Sequence, residues 1–155
     1  MNSTTAINAY AKVGIDSSAA AADPHKLILL LYQGALLAIS SAKNQMLRKD
    51  IAAKGKSISH AILIIDEGLK SSLDKNAGGE LAQNLSSLYE YMGQRLLVAN
   101  LKNDLVALDE VSGLLTDLKG AWEEIGPAVQ AAQQNTAARP QAAPTKPAAL
   151  TYGRM

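Results

Sequence analysis

An all-α fold, an antiparallel four-helix bundle, is what this sequence predicts, and three observations carry the prediction. The 155-residue chain is 48% hydrophobic yet has no phenylalanine and one tryptophan, Trp122. Such a core is built from Leu, Ile and Ala, and Leu and Ala lose little on entering a helix. Apolar residues recur at intervals of three and four in four stretches of about 20 residues each. Finally, an aspartate stands at the head of three of these stretches, where its carboxylate can accept otherwise unpaired backbone N–H groups. Helices of this length joined by short loops make mostly antiparallel neighbours.

Residues 1–22 are small and polar, with scattered apolar residues at Ile7, Tyr10, Val13 and Ile15. They read as an N-terminal arm, extended or loosely helical. They lack the basic start and long apolar centre of a secretory signal. The four-helix domain is expected over residues 23–126. Its first helix begins at Asp23-Pro24, an N-cap followed by a proline that suits the first helical position, and runs to about Asn44. It is apolar nearly all round, which makes it the central helix. Its most apolar run, Leu27–Ile39, is about 13 residues and is broken by Gln33 and Gly34. Spanning a bilayer takes about 20, so the run reads as core.

The second helix is expected from Asp50 to about Leu73, with Ile51, Ile58, Ile62, Ile65 and Leu69 on one stripe, widened by Ala61 and Ile64. The turn Asn76–Gly79 follows, with paired glycines able to take positive φ. The third helix is expected from about Gly79 to Asn100, with Leu81, Leu85, Leu88, Met92, Leu96 and Ala99 on its core face and Tyr89 and Tyr91 at the two edges. The fourth starts at Asp104. Leu108, Val111, Leu115, Leu118 and Trp122 are spaced 3, 4, 3, 4, a strict a/d seam. This helix should end near Gly126-Pro127 or fray on to about Gln134. Residues 127–155, rich in Ala and Pro, read as a flexible tail, disordered because it has too little apolar surface to offset chain entropy.

Formal net charge is +1, so nothing global points to nucleic acid or an anionic membrane. There is no cysteine, which excludes disulfides and thiol catalysis and fits a reducing cytoplasm. Neither histidine, His25 or His60, has the Glu three residues before it that di-iron bundles use, and no zinc motif, phosphate-binding loop or Gly-x-Ser-x-Gly elbow is present. Asp109-Glu110 and Glu123-Glu124 are adjacent and so splay to different helix faces. No catalytic residue, metal ligand or cofactor is expected, and the chain reads as a binding protein, not an enzyme.

The particular residues go further. The pattern Asp23-Pro24-x-x-Leu27-Ile28-x-x-Leu31-Tyr32-x-Gly34-Ala35 is followed by Ser72-Leu73-Asp74 and Gly78-Gly79-Glu80-Leu81-Ala82-x-Asn84-Leu85. Then come Leu88-Tyr89-x-Tyr91-Met92, Arg95-Leu96, Ala99-Asn100, Leu114-Leu115 and Trp122-Glu123. In this order and spacing they resemble the flagellin-specific secretion chaperone family, FliS, over roughly residues 7–124. The long Ala/Pro tail and a glycine-richer second helix depart from its pattern.

The resemblance implies an antiparallel four-helix chaperone of the bacterial cytoplasm. Such a chaperone binds the disordered C-terminal segment of flagellin, prevents premature polymerisation, and hands the complex to the export-gate membrane protein of the flagellar type III apparatus. No nucleotide, nucleic acid or membrane insertion is involved. Helix-in-groove docking of a segment that folds as it binds suits that task. The candidate flagellin-binding residues are Tyr10 in the arm, Ile58, Ala61, Ile62, Ile65 and Leu69 on the second helix, and Leu88, Tyr91 and Met92 on the third. Each has core packing as its plain alternative. Tyr10 is a candidate for a movable lid over the groove. A homodimer is possible. The rival reading is a client-free structural homo-oligomer paired through the seam of the fourth helix.

Overall fold

The computed structural model describes the backbone of residues 23–138, and the side chains of all these except 75–77 and 126–138. The arm that carries Tyr10, and the tail beyond residue 138, lie outside the described residues. Among those described there are four helices and no strand: α1, Pro24–Leu47; α2, Ile51–Leu63, continued by a π-helical segment, Ile64–Lys70; α3, Lys75–Lys102; and α4, Leu105–Ala138. The chain divides into two units, Met1–Glu123 and Glu124–Met155. The first contains the bundle described below. The second contains the last part of α4, which runs on to Ala138, beyond Gly126-Pro127 and the expected fray to Gln134.

The helix starts follow local chemistry. Asp23 accepts from Lys26 N at 3.2 Å with Pro24 behind it, Asp50 accepts from Ala53 N at 3.3 Å, and Asp104 accepts from Val106 N and Ala107 N at 3.0 and 3.2 Å. The α1–α2 and α3–α4 turns repeat one device. Lys49 and Asn103 take left-handed φ of 62° and 53°. The aspartate after each donates its N–H back to the closing turn, Asp50 N to Gln45 O at 2.9 Å and Asp104 N to Ala99 O at 3.1 Å. That is the helix stop in which a left-handed residue lets the chain reverse and satisfy a terminal carbonyl.

Side-chain bonds between helices fix their directions. Gln45 and Ser57 side chains lie 2.7 Å apart across the α1–α2 turn, and the far end of that pair meets where Gly68 faces Leu31. Lys54 binds Asn100 O while Lys70 pairs with Glu90, so α2 and α3 run oppositely. Arg95 pairs with Glu110 near the α3–α4 turn. Lys43 pairs with Asp109 at one end, and His25 meets Trp122 at the other, so α4 runs against α1. The result is the antiparallel bundle.

Its centre is α1, whose Leu27, Leu31, Ala35, Ile39 and Ala42 are wholly buried. By length and composition α1 could cross a membrane, but half of that span is enclosed by the bundle. The a/d seam of α4 is spent inside the chain: Leu108, Val111 and Leu115 are wholly buried and Leu118 and Trp122 pack against them. A copy of the chain therefore finds no free seam there.

Three core assignments change. Ile51, expected on the buried stripe of α2, is 59% exposed; it lies in the first turn, at the end of the bundle. Leu81, expected on the core face of α3, is 68% exposed. The face that turns inward is Ala82, Ser86, Tyr89, Met92, Leu96 and Ala99, one step round from Leu81, with Leu85 and Leu88 only half buried. Tyr89, expected at the edge, is in the core. Small Ala82 and Ser86 let α3 sit close, and the Tyr89 hydroxyl finds the Tyr32 hydroxyl at 2.7 Å. The second helix also changes form, widening into π geometry at Ile64. There Ile64, Ile65, Gly68 and Leu69 are all buried, a broader inward face than an α-turn presents. A Cβ on Gly68 would stand 2.9 Å from a Leu31 methyl.

Candidate functional site

A binding site for an amphipathic segment needs apolar surface left open between helices. Among the described residues, such a groove lies between α2 with its π segment and α3, lined by Ile62, Ile65, Tyr89, Gly93 and Leu97, together with Asp66, Glu90 and Gln94. Ile62 is half buried and Leu97 is 52% exposed, beside Tyr89 and Ile65, which are buried. Gly93 adds no side chain to fill the floor. Lys70 closes one end, bound to Glu90 at 3.0 Å and to Asp66 at 3.6 Å. The bond to Glu90, with both carboxylates nearby, holds the Lys70 ammonium above its ordinary pKa against a smaller desolvation effect.

A second apolar recess is lined by Leu73, Gly78, Leu81, Ala82, Leu85 and Trp122. The turn that shapes it needs both glycines. Gly79 has φ 57° and ψ −135°, a conformation closed to most side chains. A Cβ on Gly78 would lie 2.7 Å from the Ala82 Cβ. Trp122 is pinned here, donating from Nε1 to His25 O at 3.0 Å. The rings stack at 4.9 Å, and the His25 Nε2 lies 2.8 Å from Trp122 O, so that nitrogen carries the proton and donates.

The face of α3 toward α4 is polar. Tyr91 donates its hydroxyl to Glu110, and Arg95 Nε donates to the other oxygen of the same carboxylate at 2.7 Å. The Tyr91 bond and then the Arg95 bond hold Glu110 below the ordinary carboxylate range. The same bond raises Tyr91. Between α1 and α3, desolvation raises Tyr32, partly offset by its bond to Tyr89, and desolvation raises Tyr89 further. Both phenols stay neutral well into alkaline solution.

The nine candidate residues do not form one cluster. Tyr10 lies outside the described residues. Ile58, Ala61, Ile65, Leu69 and Met92 are buried among the four helices. Ile62 and Ile65 line the α2/α3 groove. Leu88 is half buried against the core, and Tyr91, 42% exposed, faces α4. Two open leucines escaped the sequence reading, Leu97 in the groove and Leu81 in the recess. Leu97 follows core Leu96 directly, and a leucine doublet carries no local mark of which member faces out.

The sequence is similar to those of known proteins. A family model described as "Flagellar protein FliS" matches residues 6–129. A flagellar secretion chaperone FliS of Salmonella typhimurium is 48% identical over 127 residues, 82% of this chain and 94% of its own length. The flagellar secretion chaperone FliSB of Pseudomonas aeruginosa is 46% identical over 125 residues, 81% of this chain and 98% of its own. The flagellar secretion chaperone FliS of Campylobacter jejuni is 35% identical over 127 residues, 81% of this chain and 94% of its own. A four-helix bundle with an open apolar groove, matched along most of its length by these chaperones, is a member of the FliS family of flagellar proteins.

Proposed function

We propose that this chain is a cytoplasmic export chaperone for flagellin. It binds the disordered C-terminal segment of flagellin, which folds into amphipathic helix as it docks, keeps that segment from polymerising, and delivers the complex to the export-gate membrane protein of the flagellar apparatus. No bond is made or broken, so the chain needs no catalytic group and no cofactor. The observation that carries the reading is the α2/α3 groove. Ile62 and Leu97 stand open to solvent there over Ile65 and Tyr89, which gives an apolar helix face somewhere to lie. Family membership supports a flagellar protein as the client. Ile58, Ala61, Leu69 and Met92 support the groove from the core, while Leu88 and Tyr91 would meet the client outside it, Tyr91 on the side of α3 toward α4.

The test is a pair of substitutions in the groove, at exposed Leu97 and at Ile62, which is half buried and also packs against the core. Ile62→Glu with Leu97→Glu should weaken binding of a flagellin C-terminal peptide by about a hundredfold or more, since each aliphatic side chain buried on docking is worth on the order of 1.5 kcal/mol. Circular dichroism should show the bundle intact. Thr116→Glu, at an exposed position on α4, should leave affinity unchanged. Unaltered affinity in the groove variant means the client does not lie there.

A further inference from the structure

The net charge near zero conceals a local feature. At the end of the bundle formed by the α1–α2 and α3–α4 turns, four aliphatic side chains point into solvent: Leu47 at 63%, Ile51 at 59%, Leu101 at 81% and Val106 at 72% exposed. They flank the two matched turns, which Lys54 ties together by donating to Asn100 O at 2.8 Å and Asn103 Oδ1 at 2.7 Å. Among the same residues stand three exposed cations, Arg48, Lys49 and Lys102, none ion-paired to another of the described residues. The two acids beside them, Asp50 and Asp104, are occupied in accepting the first N–H groups of α2 and α4. Neither the bundle core nor the client groove uses any of this surface.

We propose that this end of the bundle is a peripheral docking surface for an anionic lipid bilayer. The aliphatic side chains need an apolar partner and the cations an anionic one, at the same end of the bundle. A bilayer surface with acidic headgroups supplies both, and its softness suits a convex tip. A second copy of the chain, tip to tip, would oppose cation to cation. Nucleic acid would leave four aliphatic groups against phosphate, and among the described residues at the tip there is no aromatic ring on which a base could stack. No residue spans the membrane in this arrangement. The chain adsorbs by its tip, with the α2/α3 groove along its side, and the proposal stands independently of what occupies that groove.

Vesicle co-sedimentation of the full chain decides it. The chain should sediment with vesicles containing phosphatidylglycerol and not with pure phosphatidylcholine, and added salt should release it. Arg48→Gln, Lys49→Asn and Lys102→Gln together should weaken binding by about a hundredfold, with Asn chosen at 49 because it tolerates the left-handed backbone there. Leu101→Ser with Val106→Ser should weaken it as well, and both variants should keep wild-type helicity. Equal binding to neutral vesicles, no binding to either, or unchanged binding in both variants overturns the proposal. So does capture of the tip by an acidic peptide without vesicle binding, which would assign it to a protein partner.

Discussion

Tyr32 and Tyr89 show how much one pair of atoms decides. Both rings are 4% exposed and their hydroxyls meet at 2.7 Å, which turns α3 so that Tyr89, not Leu88, faces the core. Replacing either tyrosine by Phe leaves the other hydroxyl buried without a partner and should cost about 1–3 kcal/mol. Replacing both should cost less than the sum of the two, measured by denaturant unfolding in a double-mutant cycle. Simple additivity would mean the hydroxyls do not support one another. Both pKa values are raised above that of an ordinary tyrosine. The pair's contribution is therefore complete below about pH 10 and is lost as pH rises toward the folded-state values. Wild type should lose stability on that alkaline limb more steeply than the double Phe variant. Gly68 is a second such residue. Alanine is the better helix former by about 1 kcal/mol, but its Cβ would press 2.9 Å from a methyl of fully buried Leu31. Gly68→Ala should therefore destabilise, by about 1–3 kcal/mol, lowering the denaturation midpoint. A rise in that midpoint would show that Leu31 yields easily.

At the level of helices, what the sequence made legible was what is local. Asp23-Pro24, Asp50 and Asp104 mark helix starts because a cap acts within three residues. The strict spacing of Leu108, Val111, Leu115, Leu118 and Trp122 marks the buried face of α4 because every member points the same way. The phase of α3 was not legible. A Tyr–Tyr bond 57 residues apart in sequence and two small residues outweigh the apolar pattern that put Leu81 inside. The π segment escaped too, since a run of isoleucines fits an α-helix equally well on paper. In the groove, Ile62 and Ile65 were visible as part of a stripe, whereas Leu97 was hidden in a doublet. Lys54 escaped altogether, because a lysine reads as surface until its partners are known. It is 3% exposed and closes the C-terminal turn of α3 through Asn100 O and Asn103 Oδ1. A cation there also meets the negative end of the helix. Lys54→Met keeps the stem and removes the charged donor. It should lower stability by about 1.5–3 kcal/mol, read from thermal unfolding, and should loosen amide exchange first around residues 99–103. Stability equal to wild type would reduce Lys54 to a packing residue.

For the molecule as a whole, the bundle separates its tasks in space. The seam of α4 and the centre of α1 are consumed in stability, and the α2/α3 groove is left open along the side. On the proposed reading the frame supplies stability, the open groove takes the client, and part of the docking energy goes into ordering that client. The central claim is that a flagellin C-terminal segment is the occupant of that groove. Titration calorimetry of the full chain with that peptide tests it most directly, paired with circular dichroism of the mixture. The account expects a single class of sites at one peptide per chain, a negative heat-capacity change from apolar burial, and helicity beyond the sum of the separate components. No heat of binding at any of several temperatures together with no gain in helicity, or a bundle that only self-associates whether or not the peptide is present, would contradict it.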